Sequence, residues 1–161
     1  MTPPIESSFE RLLVRLVRDE IDFVVVGGIA VCLNGYVRLT EDVDILIDPD
    51  RSNVERLISS LAKFGEGFAA ELGPEDFDEE EGAVRVVEDS EDCQIDIFTV
   101  MHGLCLVDFR NDIRHFETSG IAVPYLGPLG LIQLKQNTHR EKDSVDISAL
   151  RQLMENPDAF E

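Results

Sequence analysis

The sequence predicts an α/β (α+β) domain, and three observations carry that reading. The run Phe23-Val24-Val25-Val26 is short, apolar and rich in valine, as a buried strand requires. Gly27-Gly28 follows at once, and the apolar stretch behind it closes at Asn34-Gly35, a helix stop. A second strand then runs on from Val43, with Asp42 and Asp44 at its mouth. Side chains alternate across a strand, so Asp42 and Asp44 are expected on one face while Val43, Ile45 and Ile47 bury the other. Two carboxylates on one strand face, close to a glycine turn that admits phosphates, point to metal-assisted phosphoryl chemistry.

The remaining elements follow in order. Ser7-x-x-Glu10 reads as a capping box, and Phe9, Leu12, Leu13, Leu16 and Val17 recur at helical spacing behind it. Asp48-Pro49-Asp50 ends the second strand. Val54, Leu57, Ile58 and Leu61 mark the next helix, with Gly65 as its expected C-cap. Gly73-Pro74 and the run Glu79 to Gly82 read as loop. The stretches from Ala83 to Val87 and from Cys93 to Val100 alternate like two strands of a hairpin, turning through Glu88 to Asp92. From Met101 to Glu117 helix and loop are expected, with His102 and His115 solvated for want of a ligand-like spacing. Ile121 to Leu126 reads as an edge strand, because Pro124 cannot donate to a ladder. Pro128 opens a helix containing Leu129, Ile132 and Lys135. A last helix is expected from about Asp143, with Ile147, Leu150 and Met154 on one face.

Composition sets the outer bounds. The 161 residues fit one domain, and 43% hydrophobic content is enough for a proper core. No apolar run approaches the roughly 20 residues of a bilayer span. Pro3, Pro4 and Glu6 stand where a signal peptide would be basic and then apolar, so a cytoplasmic protein with no membrane partner is expected. Cys32, Cys93 and Cys105 have neither a CxxC pair nor zinc-ligand spacing, and Cys32 reads as a small core residue. The formal net charge of -19 disfavours nucleic acid as a partner. From Glu71 to Asp92 eleven acidic residues face one basic residue, Arg85, so much of the excess charge sits in one segment. Such a run most simply forms a solvated face or loop.

The candidate site residues each admit a plain reading as well. Gly27 and Gly28 either just permit a tight strand-to-helix turn or let a triphosphate approach the N–H groups of a helix N-terminus. The turn G-G-I-A-V-C is neither a dinucleotide-binding G-x-G-x-x-G nor a Walker loop with its lysine. With the aspartates added, the phosphate reading is favoured. Asp96, flanked by Ile95 and Ile97, is by itself an ordinary exposed carboxylate on a half-buried strand. Following an Asp-x-Asp strand, it becomes the natural third carboxylate. Arg38 in isolation would simply pair with a surface acid.

Taken in order, Gly27-Gly28, Arg38-Leu39-Thr40-Glu41-Asp42-Val43-Asp44 and Ile95-Asp96-Ile97 resemble the nucleotidyltransferase superfold. More narrowly the chain resembles the small bacterial nucleotidyltransferases grouped with the AbiEii-type toxins. Lys135 and Lys142-Asp143-x-x-Asp146 match that group's usual ending, and the likeness fades between about Gly65 and Ala83. The resemblance implies a minimal nucleotidyltransferase core with a short mixed, largely antiparallel sheet flanked by helices. One domain would span residues 1–161, with a helical tail from about residue 128. The implied activity is Mg²⁺- or Mn²⁺-dependent transfer of an NMP from an NTP to an RNA end, a protein or a small molecule. Asp42, Asp44 and Asp96 would be the catalytic, metal-holding carboxylates. Gly27, Gly28, Arg38, Thr40 and Lys135 would shape the nucleotide site, Lys135 as a point charge on the phosphates. Salt bridges that fix the tail explain Lys142, Asp143 and Asp146 equally well. An alternative is a nucleotide-sensing or partner-binding module of the same fold, such as one half of a toxin–antitoxin pair. A blander one is an acidic interaction protein whose aspartates coincide. The complete set of three carboxylates favours the enzyme.

Overall fold

The valine-rich run and its partner become the middle of a six-stranded sheet in the computed structural model, which describes residues 8–36, 42–63, 72–77, 83–88, 93–136, 138 and 140–161. Strand β1 (Phe23–Val26) runs antiparallel to β2 (Val43–Ile47), and every residue of β1 is buried. On one side β2 continues into β4 (Cys93–Phe98), which runs parallel to it, and then into antiparallel β3 (Ala83–Glu88). On the other side β1 meets β6 (Ile121–Leu126) in parallel, and β6 pairs antiparallel with β5 (Ile113–Thr118). The order is β3-β4-β2-β1-β6-β5. The sheet is therefore mixed and largely antiparallel, as expected.

Helix α1 (Ser8–Arg18) lays Leu12, Leu13 and Leu16 into the core, the stripe its spacing required. Its expected cap, Ser7, lies outside the described residues. Helix α2 (Gly27–Asn34) starts directly off β1 and stops at Gly35, whose φ of 123° suits glycine alone. Asn34 fastens that end by donating to the carbonyls of Ala30 at 2.8 Å and Leu126 at 2.9 Å. Helix α3 (Arg51–Leu61) is fixed by buried Asn53, which accepts from the Asp22 N–H at 2.8 Å and donates to the carbonyls of Asp22 and Asp48. It ends at Leu61 with Ala62 as its cap, earlier than the expected Gly65, which lies outside the described residues. The last turn tightens instead, with the Lys63 N–H on the Ser60 carbonyl at 3.2 Å. The hairpin β3–β4 stands where the alternation placed it, and its turn, residues 89–92, falls outside the described residues.

Three expectations are corrected. The stretch from Met101 to Glu117 holds a 3-10 helix (Leu106–Asp112) and then all but the last residue of the edge strand β5. That strand has only exposed or half-buried residues, so no apolar face announced it. Strand β6 is accordingly not an edge. Its ladder to β1 is confined to the register Val25↔Tyr125, so Pro124 costs little there. Helix α5 (Glu141–Glu155) turns inward a face carrying Asp143, Asp146, Leu150 and Leu153, and leaves Met154 exposed. The reason is polar: Lys135, at the end of helix α4 (Pro128–Lys135), draws both aspartates in. Asp112 in turn holds the start of α4, its carboxylate accepting the Gly130 N–H at 2.8 Å. Among the described residues no helix is long and apolar enough to cross a membrane.

Candidate active site

Sheet register brings the acids together. Asp44 on β2 lies beside Asp96 on β4, and Asp96 lies beside Arg85 on β3, in one row across three strands. Asp42 lies in the bend just before β2, and its carboxylate also reaches the other two. Carboxylate oxygens of Asp42, Asp44 and Asp96 all lie within 4.8 Å of one another. On the far side of Asp44 the register partner is Val26, immediately before Gly27. A Cβ on Gly27 would lie 2.9 Å from Asp44 Cγ and would overlap its Oδ2, so the glycine leaves the space the carboxylate fills. Gly27 also has a φ of 67°, which L side chains rarely adopt.

Electrostatics set this cluster apart. Burial raises the Asp44 carboxyl, and the charges of Asp42 and Asp96 lift it further, to about 7, against the opposing charge of Lys135. Asp42 is also raised, first by burial and then by its hydrogen bond with Asp96 and by that residue's charge. Arg85 and Lys142 pull it the other way. Gln94 donates to Asp42 Oδ2 at 3.4 Å. Arg85 Nε donates to Asp96 Oδ1 at 2.9 Å and its Nη2 to Oδ2 at 3.3 Å. Three carboxylates are thus crowded together with one guanidinium bonded to them. Hard oxygen donors, in excess of the cations around them, fit a divalent ion of the Mg²⁺ or Mn²⁺ kind.

A cavity of about 260 Å³ opens beside the cluster. Gly27, Gly28 and Asp44 form one wall, Phe98, Met101 and Leu131 an apolar one, and Lys135, Arg140 and Lys142 a cationic one. The α2 N-terminus has no side-chain cap, which leaves its N–H groups for an anion. The Lys135 ammonium is held by Asp143 Oδ1 at 2.9 Å and Asp146 Oδ2 at 3.1 Å. Thr138 donates to the other Asp143 oxygen at 2.9 Å. A larger hollow of about 730 Å³ along α5 has no lining residue in common with the acids, so its size carries no functional weight.

Of the sequence-predicted residues, Asp42, Asp44 and Asp96 converge, and Gly27, Gly28 and Lys135 line the adjoining cavity. Arg38 and Thr40 lie outside the described residues. Sequence reasoning missed Gln94, Thr138 and Arg140, and gave Arg85 no role in the site. Arg85 alone left a signal, as the lone basic residue in the acidic stretch from Glu71 to Asp92.

The architecture matches solved structures along nearly its whole length. A nucleotidyltransferase candidate from Thermotoga maritima superposes with a TM-score of 0.58 at 18% identity, covering 91% of this chain and 90% of that one. The fold is that of the nucleotidyltransferases. An antigenic nucleotidyltransferase-like protein from Paracoccidioides brasiliensis also gives a TM-score of 0.58 at 18% identity, over 89% of this chain and 73% of its own. No family model and no curated protein matches the sequence. In this fold Asp44 and Asp96 stand on the adjacent strands β2 and β4, with Asp42 just before β2, beside the N-terminus of α2.

Proposed function

We propose that the chain is a divalent-metal-dependent nucleotidyltransferase that moves an NMP from an NTP to an acceptor. The observation that carries this reading is the meeting of Asp42, Asp44 and Asp96 at the start of α2, with carboxylate oxygens within 4.8 Å of one another. Asp42, Asp44 and Asp96 hold the metal. When bound, Mg²⁺ or Mn²⁺ neutralises phosphate charge and makes the acceptor hydroxyl more acidic. The N–H groups at Gly27 and Gly28 receive phosphate oxygens, and Arg140 and Lys142, which line the same cavity, add positive charge. Lys135 adds its field while bracing α5. Phe98, Met101 and Leu131 supply an apolar surface for base and sugar. Arg38 and Thr40 belong to the same site by the resemblance of their motif. The acceptor oxygen attacks the α-phosphorus, its bond to phosphorus forms, and the bond to the β-phosphate oxygen breaks. Pyrophosphate leaves with that electron pair. The hydroxyl proton passes to solvent, with the Asp96 carboxylate assisting its departure.

The narrower assignment, to the AbiEii-like group with a protein partner in a toxin–antitoxin pair, rests on Arg38-x-Thr40 and the Lys142-Asp143-x-x-Asp146 ending. The net charge of -19 favours a protein or small-molecule acceptor over RNA. The test is label transfer from each α-labelled NTP, with Mg²⁺ or Mn²⁺, into lysate fractions of RNA, protein and small molecules. Label in one fraction that Asp44→Asn abolishes is the expected result. Tight NTP binding with no transfer to any fraction would instead support the nucleotide-sensing or partner-binding module.

A further inference from the structure

Arg85 reaches the metal-binding acids from an unexpected side. It stands on β3, in register with Asp96 on β4, and takes both oxygens of that carboxylate in a fork. The two partners differ sharply in freedom: the Asp96 side chain is 7% exposed and the Arg85 side chain 61%. The acid is fixed in the sheet, so this ion pair breaks by movement of the guanidinium alone. Among the described residues Arg85 is the cation bonded to the cluster, because Lys135 is committed to Asp143 and Asp146. A forked guanidinium occupies one lone pair on each carboxylate oxygen, and its positive charge opposes a second cation on the same group. A divalent ion needs at least one of those oxygens.

The geometry points to Arg85 as a cationic latch on Asp96, a positioning residue that competes with the divalent ion and sets how tightly the site holds metal. The inference rests on the nucleotidyltransferase reading and deepens it. With the latch closed, Asp96 stays in its productive orientation but a lone divalent ion binds weakly. A metal arriving with a triphosphate brings its own oxygen ligands and extra binding contacts at Gly27 and Gly28, and so displaces the longer of the two bonds, the 3.3 Å contact at Oδ2. Metal and nucleotide then load together rather than singly.

The test is Mn²⁺ binding to the full chain without nucleotide, by calorimetry and by the electron paramagnetic resonance signal of free Mn²⁺. Arg85→Gln removes charge and fork, Arg85→Lys keeps the charge but loses the fork, and Arg51→Gln is a control, since Arg51 is paired with Glu55 on the surface of α3. Arg85→Gln is expected to bind Mn²⁺ about tenfold more tightly than wild type. Arg85→Lys should recover a good part of that gain, and Arg51→Gln none. Unchanged or weaker binding by Arg85→Gln overturns the latch, and so does Arg85→Lys behaving like wild type, which would leave a through-space field as the whole effect. A failure of the underlying reading looks different. There, wild type and all variants alike would lack an Asp44-dependent Mn²⁺ site, and the latch would fall with it.

Discussion

Two groups of acids, each with one member lining the same cavity, are treated in opposite ways by the fold. Asp143 and Asp146, three residues apart on α5, share the Lys135 ammonium, with Thr138 adding a hydrogen bond. Burial alone would raise Asp143, yet the bonds from Lys135 and Thr138 and the charges of Lys135 and Arg140 hold it below the ordinary carboxylate range. Asp42, Asp44 and Asp96 face one another instead, and Asp44 is pushed up to about 7. One group carries its cation within the chain. The other is short of positive charge, and that deficit is what distinguishes a ligand site from a strut.

The sharpest way to break this contrast is Asp44→Asn. If Asp44 is a metal ligand, transfer should fall by at least about 10³-fold and the Mn²⁺ site should vanish, while the fold by circular dichroism is kept. Near wild-type transfer would erase the distinction. The converse substitution, Lys135→Met, strands two buried carboxylates and should cost about 3–5 kcal/mol, read as a melting temperature lower by roughly 10 °C. A small effect would show that Lys135 is not the strut that its ion pairs imply.

The pH dependence should also separate the groups. The folded-state pKa of Asp44 lies above the ordinary aspartate value of 3.8, so folding favours the protonated acid. This contribution is fully present below about pH 4 and is lost as pH rises through about 7, on the order of 4 kcal/mol in all. In chelator, melts of wild type and Asp44→Asn should therefore converge near pH 4 and part by several degrees at pH 8, the variant being the more stable. For Asp143 the sign is reversed: its contribution is present above the unfolded-state pKa and fades as pH falls below it. Gly27→Ala forces a left-handed backbone at about 1–2 kcal/mol and intrudes on the Asp44 carboxylate. It should weaken Mn²⁺ binding about tenfold by calorimetry. Thr138→Val removes one bond to Asp143 and should lower stability by about 1 kcal/mol in denaturant titration, the smallest effect of the series.

Much of the fold was legible because its signals are local. The β1–α2–β2 unit, the β3–β4 hairpin, the apolar stripe of α1 and the start of α4 follow from apolar periodicity, glycines and a proline, each acting within a few residues. Strand β5 was not legible, since an edge strand with half-buried and exposed residues shows no alternation. The inward face of α5 was misread for a related reason. Apolar residues at helical spacing predicted Met154 inside, but an ion pair from another helix decided the rotation.

The sequence by itself predicted Asp42 and Asp44 together beside a glycine turn, because pleat geometry has a period of two residues. It also offered Asp96 as the third acid, although only the Asp-x-Asp strand before it raised that above an ordinary surface carboxylate. What the tertiary structure decided was which acids meet and which cation reaches them. The parallel register of β2 and β4 sets Asp44 beside Asp96, and the antiparallel register of β3 adds Arg85 to the same row. Strand pairing between segments some fifty residues apart is fixed by the packing of the whole sheet, and no local pattern encodes it.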